Sequence, residues 1–176
     1  MRLPDVCFHG SIIMNAYSVE SSLGNKVHMA DLRRVFSDVG RVQAQLEAAV
    51  NLRLQRELGL PLVLFESMTA IADTQCCRVQ ELAAGLGVSA GSASKLADRL
   101  CALGYCRRLP NLEDRRSCLL QLTTAGQGKL AAAARSVDHE LERLLRPALS
   151  AAQITELEAT LRELRGAGMR PPTRPH

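Results

Sequence analysis

The stretch QELAAGLGVSAGSASKLADRLCALGYCRRLPNLEDRRSCLLQLTTAG, residues 80–126, decides the fold. It opens with a short helical pattern over 80–86, which Gly87 interrupts. A second helix is predicted over 89–103, and Ser89 is the residue type that favours its N-cap. Two short helices joined by a tight, glycine-containing turn predict a helix-turn-helix.

A pair of strands follows the second helix. The predicted arms cover 105–109 and 117–122, and a polar turn between them carries Asp114, Arg115 and Arg116. A charged hairpin directly after a helix-turn-helix predicts a winged helix. An arginine at the tip of such a wing can enter a minor groove while a neighbouring carboxylate orients its guanidinium.

The outer face of the second helix has the chemistry of a DNA-reading surface. When the stripe of Ala93, Ala97 and Leu100 is turned inward, the helix presents small and hydroxyl side chains together with cations. Small residues allow close approach to a duplex, while serine and lysine can bond base edges or phosphates. The candidate DNA-binding residues on this helix are Ser89, Gly91, Ser92, Ser94, Lys95 and Arg99.

Charge and composition narrow the class of partner. The chain has 176 residues and a formal net charge of +4, and residues 78–129 hold eight basic against four acidic side chains. A localised basic patch favours a phosphate-backbone partner. Aromatic residues are only 3% of the chain, which argues against a module that stacks RNA bases. No apolar run could span a membrane and the start has no signal-like apolar segment, so a cytoplasmic protein is expected.

Amphipathic helices flank the winged unit. Apolar residues recur at three- and four-residue steps from Met29 to Leu54, which predicts one long helix ending near Gly59. A helix of this length with an exposed apolar stripe needs a partner to cover it. Further helices are predicted from about Pro61, after Thr123, and after Ser150, where Ser150 and Gln153 form a capping-box pattern.

The central stretch resembles the winged helix-turn-helix of the MarR family of bacterial transcriptional regulators. The residues that carry the resemblance are Glu81-Leu82-Ala83, Val88-Ser89, Ser94 to Leu100, Leu103-Gly104, Asp114-Arg115-Arg116 and Leu122-Thr123-Thr124-Ala125-Gly126. The resemblance implies a homodimer on a pseudo-palindromic operator, with helix 89–103 in the major groove and Arg116, held by Asp114, in the minor groove. It also implies release by a small aromatic or phenolic effector or by an oxidant.

The expected fold is therefore mainly α with a small β-hairpin wing. It combines a winged helix-turn-helix DNA-binding lobe with a helical dimerisation region. The expected parts in chain order are a flexible arm over 1–27, dimerisation helices over 28–60 and 124–166 around a DNA-binding lobe over 61–123, and a disordered tail over 167–176.

Six cysteines leave open whether the protein senses oxidants through a thiol. They are Cys7, Cys76, Cys77, Cys101, Cys106 and Cys118, and their spacing matches no zinc motif. Most cysteines of a cytosolic chain are small buried hydrophobes, but exposed, thiolate-prone ones could sense oxidants.

No metal site, cofactor or enzymatic activity is expected. Two alternatives remain: a winged helix that binds protein rather than DNA, and a thiol-based enzyme using Cys76 or Cys77.

Overall fold

Six helices and three short strands form the described part of the chain. The structure is a computed structural model, and it describes residues 28–74, 77–111 and 118–166. The elements are α1 (Met29–Leu58), α2 (Leu62–Ala72), β1 (Cys77–Arg78), α3 (Val79–Leu86), α4 (Ala90–Ala102), β2 (Cys106–Pro110), β3 (Cys118–Leu122), α5 (Thr124–Leu145) and α6 (Ala151–Gly166). The mainly α fold with a small strand pair is thereby confirmed.

The strands form one antiparallel sheet in the order β1-β3-β2. In the hairpin, Cys106 pairs with Leu122 and Pro110 with Cys118. The strand β1 was not predicted from the sequence. It has two residues, too few for an alternating pattern to be recognised, and it exists because its backbone pairs with Leu120 and Leu119 of β3.

The hydrophobic core lies in the winged-helix part of the chain and includes the C-terminal half of α1. Its largest fully buried apolar side chains are Leu54, Leu60, Leu64, Met68, Leu82, Leu100 and Leu120. The helix α4 contributes two small residues, Ala93 and Ala97, both fully buried. Small side chains let α4 pack closely on the core, and they leave its opposite face in solvent.

The chain divides into two compact units, Met1–Arg41 and Val42–His176. In the first, the described residues 28–41 include the beginning of α1, and nearly all of them are exposed. The second contains the sheet and the other helices. The predicted arm over 1–27 and tail over 167–176 lie outside the described residues, and the domain boundaries drawn from the sequence stay predictions.

Helix ends agree with the predicted caps. Thr123 accepts a hydrogen bond from the backbone N–H of Gly126 at the start of α5. Ser150 and Gln153 form the predicted reciprocal capping box, with the Ser150 N–H donating to Gln153 Oε1 at 2.9 Å. One end differs by a residue from the expectation: Pro61 occupies the N-cap position, and α2 begins at Leu62.

Candidate nucleic-acid interface

The turn of the helix-turn-helix depends on one glycine. Gly87 ends α3 with φ 65°, a left-handed conformation that other residues adopt at a cost. Its N–H bonds back to α3, and the N–H of Val88 donates to the Ala83 carbonyl at 3.0 Å. These bonds complete the end of α3 and direct the chain into α4 only three residues later. The predicted pair of helices is confirmed.

The beginning of α4 is closed by its own serines. Ser89 is the N-cap, and its Oγ accepts a hydrogen bond from the Ser92 N–H at 3.2 Å. The two hydroxyls also lie 3.0 Å apart. Ser89 and Ser92 therefore shape the N-terminus of α4, and both remain exposed to solvent.

The outer face of α4 lies where the sequence placed it. Gly91, Ser92, Lys95 and Arg99 are exposed, and Ser94 is half-buried. A Cβ added at Gly91 would meet no atom within 4 Å, so the beginning of the helix is open. The structure thus brings Ser89, Gly91, Ser92, Ser94, Lys95 and Arg99 onto one solvent-facing helix, although their contact with DNA stays a prediction.

Only the base of the wing is described. Asp114, Arg115 and Arg116, the predicted tip residues, lie outside the described residues. In the described strands, Arg107 donates through Nε to Gln121 Oε1 of β3 at 2.9 Å. This exposed pair joins the two arms of the hairpin.

Arg108, which was not among the candidates predicted from the sequence, connects the wing to α4. Its Nη2 donates to Asp98 Oδ1 at 2.8 Å, and its Nη1 donates to Cys118 Sγ at 2.9 Å. A signal was present: residues two apart in a strand share a face, and Cys106 is a core residue, so Arg108 had to lie on the same side of β2. The alternation of residues along the strand does not specify which acceptors the Arg108 side chain would bond.

A second junction joins the beginning of α5 to the turn between α4 and β2. The Thr123 N–H donates to the Tyr105 carbonyl at 3.0 Å, and its hydroxyl donates to the Gly104 carbonyl at 2.6 Å. Gly126 packs directly against the Tyr105 backbone. The Leu122-to-Gly126 stretch that carries part of the family resemblance therefore fixes α5 relative to the wing.

The described cysteines are free thiols in two environments. Cys77 and Cys106 are buried, and burial raises the pKa of each thiol. The pKa of Cys106 rises to about 11, with the neighbouring Cys101 adding to the effect of burial. A raised pKa disfavours the reactive thiolate, so neither is a good candidate oxidant sensor. Cys101 and Cys118 are half-buried, whereas Cys7 and Cys76 lie outside the described residues.

Across 28–74, 77–111 and 118–166, no group of three or more His, Cys, Asp or Glu side chains could hold a metal ion. None of the helices in these ranges is long and apolar enough to cross a membrane.

Comparison with known proteins agrees with the geometry. The MarR family model matches residues 60–118. The multiple antibiotic resistance protein MarR of Escherichia coli K12 is 31% identical over 100 residues, which are 57% of this chain and 69% of that protein. The corresponding protein of Salmonella typhimurium LT2 is 29% identical over 100 residues, with the same coverage.

Solved structures show the same fold. Mutant MarR from E. coli complexed with operator DNA aligns with TM-score 0.68 and 26% identity, covering 76% of this chain and 95% of that one. A MarR family transcriptional regulator from Streptomyces coelicolor in complex with DNA aligns with TM-score 0.72 and 21% identity, covering 85% and 95%. From the helix-turn-helix with its wing, the exposed face of α4 and these matches, it follows that the chain belongs to the MarR family of transcriptional regulators.

Proposed function

We propose that this protein is a homodimeric repressor that binds a pseudo-palindromic operator in double-stranded DNA. The observation that carries the proposal is the outer face of α4. It presents Gly91, Ser92 and Lys95 to solvent beside the basic strand β2. Small residues and a cation on an exposed helix suit close approach to a major groove. The protein would then act in the cytoplasm, where chromosomal DNA is found.

A second copy of the chain is the proposed partner of two apolar helix faces. The first half of α1 leaves large apolar side chains in solvent, and Phe36 is 83% exposed. The exposed apolar residues that form these two faces are Met29, Leu32, Val35, Phe36, Val39 and Val42 on the first half of α1, and Ile154, Leu157, Leu161 and Leu164 on α6. Their three- and four-residue spacing makes one stripe on each helix, which a monomer leaves uncovered.

DNA binding can be tested even though the operator sequence is not specified. Duplexes that bind the full-length protein are selected from a random-sequence pool, and the affinity of the best one is measured at several salt concentrations. We expect the logarithm of affinity to fall linearly with the logarithm of salt concentration, because bound phosphates release counterions. Lys95→Ala is expected to weaken binding, whereas Arg135→Ala, which removes a charge from the exposed surface of α5, is not.

Failure to enrich any duplex would overturn the proposal and favour the alternative, a winged helix that binds another protein.

Repression is tested separately. The selected sequence is placed in a promoter that drives a reporter gene, and expression is compared with and without the protein. A rise in expression would replace repression by activation.

The proposed aromatic or phenolic effector has a chemically suitable groove between α1 and α5. It encloses about 500 Å³ and is lined by Ala49, Leu52, Arg53, Arg56, Glu57, Glu140 and Arg143. Arg53 and Arg143 bond to Glu57 and Glu140 within this groove. Arg56, beside Ala49 and Leu52, is therefore the guanidinium that would bind a small aromatic carboxylate or phenolate. A larger cleft of about 670 Å³ along α2 suits such an anion poorly, because Glu47, Glu66, Asp73 and Glu81 line it.

Effector release is tested by adding salicylate, a small phenolic carboxylate, to the preformed complex with the selected duplex. Dissociation that Arg56→Ala weakens would support the groove between α1 and α5. Dissociation by hydrogen peroxide that dithiothreitol reverses would support thiol oxidation instead. If neither reagent releases the DNA, both proposed modes of release are wrong.

A further inference from the structure

Arg108 links the wing to the outer face of α4 through its side chain. Its Nη2 donates to Asp98 Oδ1 at 2.8 Å and to Ser94 Oγ at 3.4 Å. Asp98 and Ser94 lie one helical turn apart, so a single guanidinium contacts two successive turns of α4. Its Nη1 meanwhile donates to Cys118 Sγ at 2.9 Å, which holds the same group against β3.

The link is poorly placed to stabilise the fold. The Asp98 side chain is 65% exposed, and that of Arg108 is 33% exposed. Ion pairs this open to solvent contribute little to stability. The value of the contact is therefore geometric: a planar fork that spans several acceptors restricts the position of each of them.

The helix α4 has reason to need such a restraint. Two of its buried contacts with the core are made by Ala93 and Ala97, whose methyl groups interlock with neighbours less than larger side chains do. Rotation or sliding of α4 is therefore opposed by Leu100, by the half-buried Leu96 and Cys101, and by lateral contacts. Arg108 supplies a lateral contact at the middle of the helix, on the face proposed to read DNA.

We propose that Arg108 is a positioning residue, which sets the orientation of α4 relative to the wing through Asp98. The inference rests on the proposed DNA-binding function. It also explains an acidic side chain on the DNA-facing helix, because Asp98 anchors Arg108 rather than facing a phosphate. Ser94 keeps its own O–H donor for a base or phosphate while its oxygen accepts from Arg108.

Arg107 provides a matched control. It is the neighbouring arginine on the same strand and is also exposed, but its side chain donates to Gln121 of β3 rather than to α4. The full-length wild type, Arg107→Ala, Arg108→Ala and Arg108→Lys are compared on the selected duplex and on a scrambled duplex of the same length. Thermal unfolding of each variant checks that it remains folded.

A positioning role and a purely electrostatic role of Arg108 predict different DNA affinities for these variants. If Arg108 positions α4, Arg108→Ala should lose roughly tenfold in affinity for the selected duplex, with little change on the scrambled one. Arg108→Lys should lose most of the same affinity, because an ammonium cannot bridge Asp98 and Cys118 together. Two results would overturn the inference. One is an equal loss of affinity for both duplexes in Arg107→Ala and Arg108→Ala, and the other is wild-type affinity of Arg108→Lys for the selected duplex.

The sign of the Asp98→Ala effect is the sharpest test. Removal of a negative charge near DNA should strengthen binding if only electrostatics matters. Positioning through Asp98 predicts a loss instead, and it predicts that the double variant with Arg108→Ala is no worse than either single one. A gain in affinity or additive losses would overturn the inference. No binding by the wild type would overturn the proposed function instead, so the two failures are distinguishable.

Discussion

The carbonyl oxygen of Tyr105 lies 2.0 Å from the position that a Cβ on Gly126 would occupy. The carbonyl carbon of the same residue would lie at 2.9 Å. Because both are backbone atoms, they cannot move aside as a side chain could. The first turn of α5 therefore packs on the turn between α4 and β2 only while residue 126 is glycine.

Substitution at this contact should destabilise the protein strongly. We expect Gly126→Ala to lower the free energy of unfolding by about 1–3 kcal/mol, the usual cost of overpacking, or to prevent folding. Gly128→Ala is the matched control, because it lies in the same helix and its Cβ would meet nothing within 4 Å. It should be neutral, or stabilising by about 0.5–1 kcal/mol. Urea unfolding measures both, and similar values for the two would contradict the packing argument.

A buried carboxylate between α1 and α5 should make stability depend on acid pH. The hydrogen bond from Arg143 lowers the pKa of Glu140 to about 2 against the opposing effect of burial, and Arg53 adds to it. A depressed carboxyl pKa stabilises the fold fully above the ordinary value of 4.5 and progressively less as pH falls towards 2. Glu140→Gln should therefore flatten the stability profile between about pH 2 and 4.5.

Glu140→Gln should also lower the free energy of unfolding at neutral pH by about 1–3 kcal/mol, because it leaves the guanidiniums of Arg53 and Arg143 without their carboxylate partner. Glu142→Gln, which breaks an exposed pair with Arg146, is the control and should cost about 0–1 kcal/mol. Urea unfolding at a series of pH values measures the profile. An unchanged acid slope in Glu140→Gln would show that other groups cause it.

The apolar stripe of α1 predicts a charge-sensitive dimer. Phe36→Glu places a carboxylate at a side chain that is 83% exposed in the single chain and proposed to be buried in the dimer. We expect dissociation to monomers in sedimentation velocity, with weaker operator binding. Ser37→Glu adds the same charge on the opposite side of the helix and should leave the dimer intact. A monomeric wild type, or a dimer unaffected by Phe36→Glu, would contradict the proposal.

Two thiols at opposite ends of the hairpin, those of Cys106 and Cys118, should react at different rates. Burial, with Cys101 nearby, raises the pKa of Cys106 from 9.0 to about 11, which lowers its thiolate fraction roughly 100-fold at neutral pH. Alkylation by iodoacetamide, followed by peptide mass spectrometry, should therefore modify Cys118 before Cys106 in the native protein. In urea the two should react alike, and equal rates in the native protein would contradict the assignment.

Local patterns were enough to predict most of the elements. Ser89, Thr123 and Ser150 cap the helices that the sequence assigned to them, because a cap depends on residues three or four positions apart. Gly87 likewise predicted the end of the first short helix, and α3 ends there. The two-residue strand β1 was missed, since its only determinant is a partner strand more than forty residues away.

The sequence by itself determined the order of the six helices and the two hairpin strands and the outward face of α4, and its motifs pointed to the family to which the chain belongs. The elements and the outward face follow from residue spacing along a regular helix or strand, whereas the family follows from residue identities in the quoted motifs. Only the tertiary structure decided that Arg108 holds Asp98 and Cys118, that Gly126 meets the Tyr105 backbone and that Glu140 is buried between two arginines. Each of these contacts joins different elements or depends on how they pack, and a periodic pattern specifies a face but not the atoms that will lie against it.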